Sequence, residues 1–284
     1  MTEPADLEQR PAERSDVAPE AVSAPILDTV CSVKNFAGLM VDATRGGNRR
    51  WFRGTRDYTY HLVPSLYRHP TVKGTDNLIG LEWELLSEFR HQAPPFANKL
   101  PSENLELLFL MQHYGIPTRL LDWTENPFIA LFFALENARQ ERRGEERDAT
   151  VWLLDPILLN TIAYSNRANA NRIYGAYADE LGAYQPSQDS KKVSMLLPLA
   201  IHGVHNSQRI VAQRGSFTIF GRNTAALNES MKLSGSDGVI KQVRIAAGAK
   251  RQMFEDLFNM GIADSVVYPD LDGLGREIRN RRGF

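Results

Sequence analysis

QHYGIPTRLLDWTENPFIALFFAL, residues 112–135, changes character halfway along. Its first half crowds polar and turn-forming residues together: His113, Tyr114, Gly115, Pro117, Thr118, Arg119, Asp122 and Trp123. Its second half, Ile129 to Leu135, is apolar at every position. Asn126-Pro127 is a helix start, because asparagine is a good N-cap and proline is favoured in the first turn, where its missing N–H has no partner to lose. A helix with no polar face has to be enclosed by the rest of the molecule. The polar half therefore sits directly beside buried structure. Polar groups buried unpaired cost a few kcal/mol each, about 1–3 by mutational measures. Either they satisfy one another or a ligand satisfies some of them. An Arg119–Asp122 pair with Thr124 as a cap represents the first outcome, and a polar pocket the second.

The rest of the chain is read outward from that segment. Val33, Phe36, Leu39 and Met40 lie at helical spacing, as do Leu81, Leu85 and Phe89, and the residues from Asn104 to His113. Pro94 and Pro95 end the second of these helices. RRWFRGT, ATVWLL and GVIKQVRIA read as strands. So does QRIVAQRGSFTIFG, with Ile210 and Ala212 on one face and Val211, Gln213, Phe217 and Ile219 on the other. AKRQMFEDLFNMG is an amphipathic helix, and SVVYPDLDGL a last strand and turn. Residues 160–205 are polar and read as a mobile insertion or a surface subdomain. Helices and strands alternate without a regular βαβ rhythm. The expected fold class is α+β, with a mainly antiparallel sheet, continuous or split, flanked by helices.

Composition narrows the functional classes. Of 284 residues, 43% are hydrophobic and 24% charged, and the net charge is -1. This gives no bulk electrostatic case for coating DNA, although a local basic patch is compatible with it. One cysteine, Cys31, excludes an internal disulfide framework and a thiolate cluster, which suits a cytoplasmic location. No apolar run is long enough to span a bilayer. Residues 1–27 are acidic and hold Pro4, Pro11 and Pro19, the composition of a disordered arm. Residues 28–284 are expected to form one domain. His202 and His205 have a spacing seen in metal sites, but no third ligand accompanies them, and no metal is expected. Asp270 and Asp272 read as a turn that caps the final helix.

Three clusters carry the chemistry. In Phe52-Arg53-Gly54, the arginine can grip a phosphate or carboxylate with two hydrogen bonds, or tie a loop internally. Gly54 permits close backbone approach. In the second cluster, Trp123 offers a flat face for stacking or packs in the core, the more common place for a tryptophan, and His113 and Tyr114 are ligand contacts or half-buried wall. In the third, Gln213 can place an amide over the same cleft.

Together these clusters resemble the FRG domain family, named for its aromatic-Arg-Gly motif. LVPSLYR, the Glu82–Phe89 helix, the 112–134 segment, QRIVAQRGSF and VVYPDLDGLGREI extend the resemblance over about residues 35–280. The order of motifs is also similar, more faintly, to the ADP-ribosyltransferase fold. That resemblance implies NAD as substrate and catalytic positions at Arg53, Thr118 and Gln213. It implies a nucleotide-binding set of Arg53, Gly54, His113, Tyr114, Thr118, Arg119, Asp122 and Trp123. It also implies a role as a bacterial toxin or defence effector. The third motif lacks the glutamate such enzymes use, so Glu180, Glu229 or Glu255 would have to come from elsewhere. The alternative is a non-catalytic module for nucleotides or nucleic acid, with Arg53, Arg119, Arg209 and Arg214 meeting phosphates and Trp123 or Tyr114 stacking a base.

Overall fold

A computed structural model describes residues 24–47, 49–97, 99–140, 146–165, 170–204, 208–233, 236 and 238–283, without the side chains of 208, 209, 232 and 233. The strands are β1 (Ile26–Val30), β2 (Trp51–Thr55), β3 (Leu120–Thr124), β4 (Ala149–Leu154), β5 (Tyr174–Gly175), β6 (Leu199–His202), β7 (Gly215–Ile219) and β8 (Ile240–Ile245). The helices are α1 (Val33–Thr44), α2 (Thr75–Gln92), α3 (Asn104–His113), α4 (Pro127–Leu135), α5 (Pro156–Ala163), α6 (Gln208–Ala212), α7 (Leu227–Leu233), α8 (Lys250–Asn259), α9 (Asp264–Val267) and α10 (Leu271–Arg282).

The eight strands form one open sheet in the order β1-β8-β4-β2-β3-β7-β6-β5. The α+β class holds, but the sheet is mixed and not mainly antiparallel. β1 runs parallel to β8 at one edge and β5 parallel to β6 at the other, with antiparallel ladders between. Parallel partners far apart in the chain leave no hairpin signal in a sequence, so nothing local announces the two edges. The ladders are also uneven. β2 meets β4 over five registered pairs but meets β3 at one pair alone, Phe52 with Thr124. The sheet is nearly parted at that joint.

Strand alternation divides the interior into three cores. Val151 and Leu153 of β4 face α1, α4 and α8, while Trp152 and Leu154 face the opposite side with Trp51, Leu121 and Trp123. Leu120 and Phe217 pack with α2 and α3 in the third. α4 is the enclosed helix the sequence predicts. Ile129, Ala130, Leu131, Phe132, Ala134 and Leu135 are all buried, and Asn126 caps it by accepting from the Phe128 N–H at 2.9 Å. Burying one such large side chain contributes about 1.5–3 kcal/mol.

Other expectations change. Ile26 and Leu27 already belong to β1, so the ordered chain begins earlier than residue 28; residues 1–23 lie outside the described residues. The 160–205 segment contributes Tyr164, Tyr174, Leu181, Tyr184 and Leu199 to the core beside α3, so it is packed where described. Residues 208–212 form α6, and the strand starts only at Gly215. Ser265 to Val267 end α9 with Tyr268 as its C-cap, and the PDLDGL turn opens α10, with Asp270 capping it through the Gly273 N–H at 2.7 Å. Cys31 is exposed. No described helix is long and apolar enough to cross a membrane. His205 lies outside the described residues, and among those described no three His, Cys, Asp or Glu side chains gather as a metal site.

Candidate functional site

A cleft of about 350 Å³ opens at the single-pair joint between β2 and β3. Four of the predicted site residues from β2 and β3 line it: Arg53, Gly54, Asp122 and Trp123. His113 and Gln213 line it as well. Its apolar walls come from all three cores, with Phe52 and Phe133 from one, Phe109, Ile210 and Phe217 from another and Trp123 from the third.

Arg53 spans the gap between the strands, its Nη1 donating to the Asp122 carbonyl at 2.6 Å. Burial lowers its pKa, Asp122 offsets part of that, and Arg68 adds to the lowering. An arginine starts so high that it stays charged near neutral pH. One N–H of five is engaged by this bond, so the guanidinium fork retains donors for an anion. Gly54 has a different reason to be there. A Cβ at this position would lie 1.9 Å from the Ala130 carbonyl oxygen and 2.6 Å from the Ala134 nitrogen. The glycine lets β2 lie directly on α4, which sets the height of Arg53 above the cleft floor.

Asp122 is held by a relay. Thr118 Oγ1 donates to Gln112 Oε1 at 2.6 Å, and Gln112 Nε2 donates to Asp122 Oδ2 at 3.0 Å. Gln213 occupies the turn after α6. Thr124 Oγ1 donates to its carbonyl at 2.5 Å, and its own Nε2 donates to the Val267 carbonyl at 3.0 Å. The following residue, Arg214, has a φ of 46°, the left-handed region that non-glycine residues avoid. The turn is exposed there, and β7 departs from it.

Three predicted site residues are placed elsewhere. Arg119 is fully buried, paired with Glu82 at 2.7 Å, and its other nitrogens donate to the Phe220 carbonyl at 2.9 Å and to the Tyr184 carbonyl. Burial opposes its charge, but Glu82, assisted by Tyr67 and Tyr184, more than offsets this and raises its pKa. Arg119 is therefore a structural tie, with Glu82 and not Asp122 as its partner. Thr118 is also fully buried and reaches the cleft only through Gln112. Tyr114 is 67% exposed, edge-on to His113, and does not line the cleft. The Arg209 side chain lies outside the described residues.

None of the three glutamates considered from sequence lines the cleft. Glu180 pairs with Arg172, Glu255 with Arg139, and Glu229 faces His61 at 3.4 Å. A fourth does. Glu136, the C-cap of α4, lines the cleft together with Arg56 and Tyr60, and sequence reasoning missed all three. Its carboxylate accepts a hydrogen bond from the Tyr268 hydroxyl at 2.8 Å. Burial pushes its pKa up, and Asp264 adds to this, while Tyr268, Arg276 and Arg56 partly oppose it. A signal was available in the sequence. Glu136 is the first charged residue after the enclosed run, at the helix end where the backbone dipole disfavours a carboxylate.

No curated protein and no solved structure matches the chain. A family model does, the FRG domain, over residues 48–143. That span contains Arg53, Gly54, the Thr118–Gln112–Asp122 relay, α4 and Glu136, while Gln213 and β7 fall beyond it. The aromatic-Arg-Gly motif, the polar segment and the enclosed helix all contribute lining residues to one cleft, and the span similar to the FRG domain runs across all three.

Proposed function

We propose that the cleft binds a nucleotide and that the protein is an NAD-dependent, ADP-ribosyltransferase-like enzyme, of the kind that acts as a toxin or defence effector in bacteria. The observation that carries the reading is the convergence of Arg53, Asp122 and Gln213, from three distant parts of the chain, on one aromatic-walled cleft. Arg53 and Arg56 supply positive charge for a pyrophosphate. Trp123, Tyr60 and Phe133 offer flat faces for a base or a nicotinamide ring. Gln213 and Asp122 supply the polar contacts a ribose needs. The thin β2–β3 pairing, with the cleft opening beside it, supports this reading. Thr118 keeps a role only behind Gln112, which takes over its place at the cleft.

In the reaction, the bond between the ribose C1′ and the nicotinamide nitrogen breaks. Its electron pair returns to the ring, and the carbon becomes cation-like before an acceptor adds. A preorganised anchor for the phosphates lowers that barrier by holding the leaving group and ribose in line. The test is to incubate the purified chain with NAD and cell extract and to follow nicotinamide release. Release from wild type that is lost in Arg53→Ala supports the enzyme. Equal background from both overturns it. NAD binding without release would favour the non-catalytic module, and steep weakening of polynucleotide binding with salt would favour nucleic acid.

A further inference from the structure

Glu136 stands where neither helix stability nor an ion pair accounts for it. The C-terminus of α4 opposes a carboxylate. No arginine or lysine forms a salt bridge with it among the described residues. Its hydrogen bond comes from a neutral phenol, Tyr268, whose ring is covered by the Arg276 guanidinium at 3.9 Å. The Nε of Arg276 is a buried nitrogen without a hydrogen-bond partner. The same connection holds Gln213, through the Val267 carbonyl. The α9–α10 segment therefore holds both polar groups, Glu136 and Gln213, at the cleft that Arg53 also lines.

We infer that Glu136 is the catalytic base of the cleft, taking the proton from the acceptor group, and that Tyr268 and Arg276 are positioning residues for it. This rests on the nucleotide reading above and assigns the step that reading leaves open. As the C1′–N bond breaks, its electron pair neutralises the pyridinium nitrogen of the departing nicotinamide. A lone pair on the acceptor's oxygen or nitrogen forms the new bond to C1′, and as its O–H or N–H bond breaks the proton passes to the Glu136 carboxylate and then to water. No oxidant or further reactant is needed. The groups that face Glu136 bias its ionisation in both directions: Asp264 and burial favour the neutral acid, and Tyr268, Arg276 and Arg56 favour the carboxylate. A base held above the usual carboxylate range accepts a proton more readily near neutral pH than an exposed glutamate does.

The experiment measures NAD affinity by calorimetry, and nicotinamide release across pH with cell extract as the source of acceptor, on the full chain. Glu136→Gln keeps the Tyr268 contact and is expected to bind NAD within about threefold of wild type while release falls about 100-fold or more, the usual range for a lost general base. Tyr268→Phe removes a bond to the ionised form, so the acidic limb of its pH profile should move to higher pH with the plateau largely recovered. Thermal melts confirm that each variant is folded. Release by Glu136→Gln at the wild-type rate overturns this assignment and leaves the nucleotide reading intact. Absence of release from wild type overturns both. A Tyr268→Phe profile unchanged in position, with only a uniform loss, removes the positioning role.

Discussion

Replacing Arg119 by alanine separates the scaffold from the site. The side chain is fully buried and donates to Glu82 at 2.7 Å, to the Phe220 carbonyl at 2.9 Å and to the Tyr184 carbonyl. Its removal leaves the Glu82 charge buried without a counter-charge, held among the described residues only by the backbone N–H of residue 119 at 3.4 Å, and breaking a buried pair in this way costs about 3–5 kcal/mol. For a domain of this size each kcal/mol moves the melting temperature by about 2–4 °C, so the midpoint should fall by roughly 6–20 °C. The double variant Arg119→Met with Glu82→Leu removes the orphan charge along with the pair. It should recover part of the loss, since apolar replacements of buried pairs are often neutral. Recovery should be incomplete, because two carbonyls lose a donor. Differential scanning calorimetry measures all three proteins. An Arg119→Ala midpoint within about 2 °C of wild type would refute the reasoning, since no buried pair of the expected cost could then be present.

The cleft residues are expected to behave differently. Arg53→Ala should cost no more than about 1.5 kcal/mol, because the one charge-assisted bond it loses is offset by relief of a desolvated guanidinium; a larger loss in calorimetry would make Arg53 a scaffold residue. Gly54→Ala forces a Cβ to within 1.9 Å of the Ala130 oxygen, so α4 has to shift away from β2. A loss of about 1–3 kcal/mol or more should follow, together with weaker ligand binding, and a variant as stable as wild type would mean the close approach is absent. Glu136→Gln should stabilise the fold in a pH-dependent manner. The folded protein holds this carboxyl above its ordinary pKa, so wild-type stability is fully present below the unfolded value and is lost as pH rises through the folded one. The advantage of the variant should thus be near zero in acid and grow toward pH 8. An advantage that is constant with pH would contradict the raised value.

How far the sequence discloses this arrangement depends on the length of each signal. α4 is legible because nine residues without a polar face admit one physical solution, enclosure. β2 and β4 are legible because aromatic and branched residues fill short runs with clear ends. β3 was hidden by its own chemistry. Arg119 and Asp122 frame LLDWT with polar groups, and the strand is recognisable only once Arg119 is seen to pair with a distant residue of α2. RIVA and SVVY mislead because a run of four residues with two branched ones cannot distinguish a period of 2 from one of 3.6. In α10, Leu271, Leu274 and Ile278 do recur at helical spacing, but Gly273 and Gly275 argue against a helix. Gly273 is there because any Cβ would meet the Tyr268 carbonyl oxygen at 1.9 Å, a packing demand that no local pattern reveals. The same logic explains the site. Arg53 and Gln213 were found by chemical type. Thr118 and Arg119 belong to the same motif but face inward, and Glu136 follows the motif by one helix and faces the cleft.

Isothermal titration of NAD into wild type and Arg53→Ala at low salt tests the central claim most directly. One site is expected on wild type, with affinity reduced about 10- to 100-fold in the variant, the worth of a charge-assisted contact of about 1.5–3 kcal/mol. Equal affinity in the two proteins, or no heat from wild type, would contradict a nucleotide cleft anchored by Arg53.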